Sequence, residues 1–93
     1  MDPDLAGFFE QYLNVEVAYS YMDGIKEVVR TSGWREKQRR LFEQMLAERS
    51  MTRGEYCERT WVDFETDDDM YAYLTKVYAY FFLDREELPI PPE

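Results

Sequence analysis

Histidine is absent from this sequence. Its absence excludes a Ser–His or Cys–His catalytic pair, an imidazole metal ligand and the usual acid–base group of physiological pH. Carboxylate-only and Tyr/Lys mechanisms are the remaining enzymatic options, and no residues here have the spacing that those mechanisms need. We therefore expect a protein that is not an enzyme and that uses no cofactor or metal.

Cysteine, glycine and proline are scarce as well. The single cysteine, Cys57, excludes an internal disulfide and is typical of a reducing cytoplasm. No tract rich in glycine, serine or proline indicates disorder, and no apolar run is long enough to span a membrane. The first residues are acidic where a signal peptide is basic. The sequence predicts a soluble, cytoplasmic protein.

Basic residues are the third scarcity, with 11 Lys and Arg against 20 Asp and Glu and a net charge of −9. The imbalance is concentrated in residues 50–93, which hold four bases and eleven acids. Such a chain is repelled by nucleic acid and anionic membranes and attracted to a basic protein surface. The alternative is that the acidity serves solubility alone.

The chain length allows one domain, residues 1–93, and the apolar pattern predicts an all-α fold of about five short helices. The most apolar segment is Asp67–Leu83, which opens with three consecutive aspartates. We predict that it is the central core helix, and that Asp67 or Asp68 caps its start. The wide apolar surface of this helix could instead be buried against a second copy of the chain, which would give a homodimer. Residues 88–93 are rich in proline and are predicted to form an extended tail.

Three of the other segments carry predictions that the structure can test. Residues 15–21 alternate apolar and other residues, which favours a strand. No partner strand is visible, so an extended connector or a short helix is the preferred interpretation. The second helix is expected to begin at Asp23 with Val28 facing inward. Thr52 and Glu55 form a capping box, so a fourth helix should carry Trp61 and Phe64.

The most acidic segment precedes the core helix. Its sixth and twelfth positions counted from Asp63 are Asp68 and Leu74, where a calcium-binding EF-hand needs Gly and Glu, so an EF-hand is excluded. One interpretation is a solvated helix start, because acidic side chains are stabilised there. The other is a negative patch that binds a basic partner. The patch residues are Asp63, Glu65, Asp67, Asp68 and Asp69.

Eight tyrosines are the second candidate feature, because tyrosine combines an apolar ring with a hydrogen-bonding hydroxyl. Tyr71 and Tyr78 share the face of Leu74 and are predicted core residues. Tyr73 and Tyr80 lie on the flanking face and are predicted interface residues. Tyr19 and Tyr21 are predicted interface residues as well.

A basic strip marks the third helix: Arg35, Lys37, Arg39 and Arg40. With Arg49, the predicted helix has five bases, which could contact phosphate, but the overall charge and the interleaved Glu36 and Glu43 argue against it. A solvated face, or an internal complement to the acidic segments, is the favoured interpretation.

The stretch Phe8–Val17, FFEQYLNVEV, has an aromatic pair, then Tyr with an apolar residue, then a polar–acidic step. In this stretch and in its overall layout, the sequence resembles one group of immunity proteins of bacterial contact-dependent growth inhibition systems. Val17 stands where that group commonly has Trp. The resemblance implies a small, intracellular, often helical protein that neutralises a cognate toxin domain, frequently a nuclease, by direct binding. It transfers no binding residues.

These observations predict an acidic inhibitor that occludes a basic toxin domain, with carboxylates pairing with Lys and Arg of the toxin and tyrosines as anchors. A helical adaptor, or a phage-type DNA mimic that acts on a nucleic-acid-binding complex, is the alternative. A small enzyme ranks last. The predicted partner-binding residues form two patches: Asp63, Glu65, Asp67, Asp68, Asp69, Tyr73 and Tyr80 in the first, and Glu10, Glu16 and Tyr19 in the second.

Overall fold

The computed structural model describes residues 2–92, which form five α-helices and one π-helical turn; no strand occurs within that range. The predicted all-α fold is confirmed. The elements are α1 (Pro3–Tyr12), the π-helical segment (Val17–Tyr21), α2 (Met22–Thr31), α3 (Arg35–Glu48), α4 (Arg53–Thr60) and α5 (Asp67–Phe82).

The most apolar helix, α5, is the helix that the sequence predicts at the core. It packs against α2 and α3, while α1 packs against α3 and α4. Helices of the same chain therefore cover α5, and a homodimer stays a prediction. Half of its sixteen residues are buried: Met70, Tyr71, Tyr73, Leu74, Val77, Tyr80, Phe81 and Phe82.

The start of α5 differs in one detail from the prediction. Thr66, rather than Asp67 or Asp68, is the N-cap, and its hydroxyl accepts a hydrogen bond from the backbone N–H of Asp69 at 3.1 Å. The three aspartates occupy the first turn, where the positive end of the helix dipole stabilises their charge.

Aromatic rings fill the centre of the protein. Phe9 and Phe42 are fully buried, and their rings meet edge to face with centroids 5.5 Å apart. Phe9 also meets Tyr56 at 5.4 Å, which joins α1 to α4. The ring of Phe8 contacts those of Trp34, Phe42 and Phe81, so one aromatic cluster connects α1, α3 and α5.

The alternating stretch Val15–Tyr21 is helical. Residues 15 and 16 begin a helix, the π-helical segment follows, and α2 continues from it without a break. Of the two preferred interpretations, the helical continuation is confirmed, and the predicted helix start at Asp23 was too late. Because a π turn has more residues per turn, Val17, Ala18 and Met22 can all face the core.

Two predictions about inward-facing residues were wrong. Val28 of α2 is exposed, whereas its neighbour Val29 is buried in the core. The fourth helix ends at Thr60, so neither Trp61 nor Phe64 belongs to it. The predicted capping box of Thr52 and Glu55 is present, with the Glu55 carboxylate 3.1 Å from the backbone N of Thr52.

Residues 84–92 have no regular secondary structure, and they fold back over the protein. Pro89 is buried, and the Tyr19 hydroxyl donates a hydrogen bond to the carbonyl oxygen of Pro92. The last residue of the predicted tail, Glu93, lies outside the described residues. Within the part of the chain that the structure describes, no helix has the length and apolar character needed to cross a membrane.

Candidate protein-binding site

A groove lies along the first half of α5. Its other walls are the α4–α5 connector (residues 61–66) and the C-terminal tail (residues 84–92). Its volume is about 670 Å³. Residues 69, 72, 73 and 76 contribute to it because their spacing places them on one face of α5. We call it the α5 groove, and its lining residues are Arg53, Asp63, Phe64, Glu65, Asp69, Ala72, Tyr73, Lys76, Ile90 and Pro92.

The α5 groove brings together three of the predicted acidic residues, Asp63, Glu65 and Asp69. All three are exposed, and within residues 2–92 no ion pair engages their carboxylates. The two bases of the groove do not pair with these carboxylates. The Arg53 guanidinium donates to the Phe64 carbonyl at 2.9 Å, and the Lys76 ammonium lies 3.5 Å from a Glu87 carboxylate oxygen. The groove therefore offers uncommitted negative charge to a ligand.

The other two predicted acids, Asp67 and Asp68, have structural contacts instead. The Asp67 carboxylate accepts a hydrogen bond from the backbone N–H of Arg53, at the start of α4, at 2.9 Å. Asp68 pairs with Arg49 at 2.6 Å, and this ion pair joins the end of α3 to the start of α5. The helix-start interpretation thus fits Asp67 and Asp68, and the negative patch stays a prediction for Asp63, Glu65 and Asp69.

The sequence predicted Tyr73 and Tyr80 as interface residues, but neither side chain is exposed. Tyr73 is 4% exposed and Tyr80 is 5% exposed. The tail and the α4–α5 connector fold over the flanking face of α5, and the Phe64 ring packs on Tyr73 with centroids 5.3 Å apart. Lys26 of α2 covers the Tyr80 ring, with its ammonium 4.2 Å from the ring centroid. Their predicted role as direct interface anchors was therefore wrong.

The Tyr73 hydroxyl is nevertheless unusual. Within the described residues it has no hydrogen-bond partner, although it is buried. Burial raises the pKa of this hydroxyl, and the nearby Tyr19 raises it further. A neutral phenol without a partner therefore lies beneath the α5 groove.

The second predicted patch is divided in the structure. The Glu10 carboxylate pairs with Arg59 of α4 at 2.9 Å, so its charge is largely compensated. Glu16 is exposed, and Tyr19 is half exposed. The hydrogen bond from Tyr19 to Pro92 places this tyrosine beside the tail that lines the α5 groove, whereas Glu10 does not line the groove.

The basic strip of α3 is mostly neutralised within the chain. Arg39 pairs with Glu36 at 2.6 Å and with Glu43 at 2.8 Å, and Lys37 pairs with Asp4 at 2.5 Å. Arg35 donates to a backbone carbonyl at the end of α5. Of the two favoured interpretations, Lys37 with Asp4 fits an internal complement to another segment, and the exposed Arg40 fits a solvated face.

Sequence reasoning missed Trp61 as a surface residue. This side chain is 78% exposed and follows directly after α4. The signal was present in the alternation of residues 61–65, because Val62 and Phe64 are buried while Trp61, Asp63 and Glu65 are exposed. The capping box marks the start of α4, but no comparable pattern in the sequence marks its end.

Comparisons with protein-family models, with curated proteins and with solved structures find no match to this chain. Within residues 2–92, no group of three or more carboxylate or thiol side chains is placed to hold a metal ion.

Proposed function

We propose that this protein is an acidic inhibitor of the immunity type, which binds a basic protein domain in the cytoplasm and occludes its functional surface. The expected target is a toxin domain that uses Lys and Arg to bind phosphate, such as a nuclease. The resemblance of Phe8–Val17 to growth-inhibition immunity proteins motivates this choice of partner class. The α5 groove is the proposed centre of the interface.

The observation that carries the proposal is the set of uncommitted carboxylates around the α5 groove, at Asp63, Glu65 and Asp69. Elsewhere many carboxylates are compensated by ion pairs or backbone N–H groups, as at Glu10, Asp67 and Asp68. Negative charge that the protein leaves unpaired around a concave surface attracts cationic side chains and raises the rate of association.

A rigid surface also supports an inhibitory role. The groove is built on α5, a helix held by the aromatic core, and Thr66 fixes the start of this helix. A partner that binds there meets a preorganised surface, so little conformational entropy is lost on binding.

Affinity capture from a lysate of the native host tests this function. The tagged protein is washed first at low and then at high salt, and the retained proteins are identified and assayed for nuclease activity. We expect one basic partner, weakened by high salt because surface ion pairs are screened, whose activity falls when this protein is added. A partner that is a nucleic-acid-binding complex of phage or host, with no toxin activity, would favour the adaptor or DNA-mimic alternative.

A further inference from the structure

Trp61 exposes a large aromatic ring at a position whose left-handed backbone conformation favours glycine. It is the C-cap of α4, with a left-handed φ of 64°, and its N–H donates to the Cys57 carbonyl at 2.8 Å. Glycine takes this conformation at the least cost. With 78% of its surface exposed, the ring is also the most exposed aromatic among the described residues.

No aromatic ring or cation of the described chain covers this indole. Other rings of the protein do carry a cation of their own. These pairs are Lys26 over Tyr80 at 4.2 Å, Arg49 over Tyr71 at 4.5 Å and Arg35 over Phe82 at 5.7 Å.

The α4–α5 connector carries two exposed carboxylates that follow Trp61 closely in the chain. Val62 and Phe64 are buried, so the alternating residues Trp61, Asp63 and Glu65 face outward together. Two residues of extended chain span at most about 7 Å, so Asp63 lies close to Trp61. Asp63 and Glu65 also line the α5 groove and have no ion-pair partner within residues 2–92.

The buried Tyr73 hydroxyl gives an independent indication of a ligand on this side of the protein. Tyr73 lines the same groove, packs on Phe64 of the connector, and has a hydroxyl without a hydrogen-bond partner. Buried polar groups normally have a partner, so this hydroxyl beneath the groove marks a polar position that the described chain leaves unsatisfied.

We propose that Trp61, Asp63 and Glu65 form a binding site for an arginine side chain of the partner protein. The guanidinium stacks on the indole while its N–H groups donate to the two carboxylates. Tryptophan is the strongest aromatic partner for a cation, and the planar guanidinium both stacks and donates in a fork, which an ammonium does not. This inference rests on the proposed function, because it names the side chain through which the partner is recognised.

Fluorescently labelled hexaarginine and hexalysine are the probes for this site, with binding measured by anisotropy at low and moderate salt. We expect the wild-type protein to bind hexaarginine more tightly than hexalysine. In Trp61→Ala the affinity for hexaarginine should fall about two- to five-fold, the range of an exposed cation–π contact. Its affinity for hexalysine should change less, so the preference for arginine disappears.

Two further variants separate the arginine site from the proposed function. Trp61→Phe keeps an aromatic face and should retain part of the preference, whereas Asp63→Asn with Glu65→Gln should weaken both peptides. A preference for hexaarginine that survives in Trp61→Ala would overturn the arginine site, as would equal wild-type affinity for the two peptides. If binding then still depended on the carboxylates, the proposed function would stand. If neither peptide bound, the result would overturn the arginine site and would also contradict the proposed function, which requires a cationic partner.

Discussion

The hydroxyl of Tyr71 forms two hydrogen bonds with the backbone of one residue, Met51. It accepts from the Met51 N–H at 2.9 Å and donates to the Met51 carbonyl oxygen at 2.6 Å. Both residues are buried, so this pairing satisfies the backbone where the chain leaves α3 and approaches α4. The Arg49 guanidinium lies over the same ring, 4.5 Å from its centroid.

Replacing Tyr71 with phenylalanine should therefore lower the free energy of unfolding. The variant leaves the N–H and the carbonyl of Met51 unpaired inside the protein, which costs about 1–3 kcal/mol. Urea denaturation measures the change. Tyr73→Phe is the matched control, because it removes a buried hydroxyl that has no partner. It should be neutral or slightly stabilising, and equal losses in the two variants would contradict the pairing.

The buried tyrosines should make the protein sensitive to alkaline pH. Burial raises the pKa of Tyr73 and that of Tyr56 above the ordinary value for tyrosine. The unfolded chain loses these protons near pH 10 while the folded chain keeps them, so their stabilising contribution is full below pH 10 and declines above it. Each such tyrosine should steepen the decline by about 1.4 kcal/mol per pH unit.

A comparison of wild-type protein with Tyr73→Phe between pH 9 and pH 12 isolates this effect. Other groups titrate in the same way in both proteins, so the difference reports Tyr73. The free energy of unfolding of the variant should fall less steeply above pH 10. Parallel curves would mean that the Tyr73 hydroxyl ionises as readily in the folded protein as in the unfolded chain.

The start of α5 depends on Thr66 rather than on the aspartates that follow it. Thr66→Ala removes the hydroxyl that accepts from the Asp69 N–H, and we expect a loss of about 1 kcal/mol in the free energy of unfolding. Asp68→Asn should cost less than Thr66→Ala, since it removes only an exposed ion pair with Arg49 and one exposed charge at the helix start. A larger loss in Asp68→Asn would assign the cap to the aspartate, as the sequence first suggested.

The helical fold could be predicted from local patterns, because α5 and the capping box at Thr52 are each specified within one segment. The burial of Tyr73 could not be predicted in this way. It depends on Phe64 and on the tail near Pro92, which reach α5 only through tertiary contacts. Helix periodicity describes the faces of a helix and does not show which of them a connector or a tail will cover.

The surface role of Trp61 was hidden for a different reason. Helices often end at glycine, and no glycine follows α4, so the end at Thr60 left no sign in the sequence. The sequence predicted that the acidic segment leads into α5, and the structure places three of its aspartates in the first turn of this helix. The division of this segment into structural and uncommitted carboxylates was not predictable, because it depends on distant partners such as Arg49 and Arg53.

Trp61 offers a test of the trade-off between stability and binding. Trp61→Gly should be more stable than Trp61→Ala by about 1 kcal/mol, because alanine retains the cost of the left-handed conformation and glycine does not. Both variants lose the ring, so both should lose the preference for arginine peptides. Thermal and urea denaturation give the stabilities. Equal stability of the two variants would contradict a left-handed backbone at this position.

The most direct test of the proposed interface is a comparison of three proteins in the same capture experiment. The groove variant carries Asp63→Lys, Glu65→Lys and Asp69→Lys, which changes the net charge from −9 to −3. The control variant, with lysine at three exposed glutamates outside the α5 groove, has the same net charge. Those positions are Glu48, Glu58 and Glu86.

We predict that the wild-type protein and the control variant retain the same basic partner, and that the groove variant loses it. With the purified partner, the association rate of the groove variant at low salt should fall by about an order of magnitude or more. Circular dichroism should show that both variants keep the helical fold. Equal retention by the groove variant and the control variant would contradict the α5 groove as the binding surface.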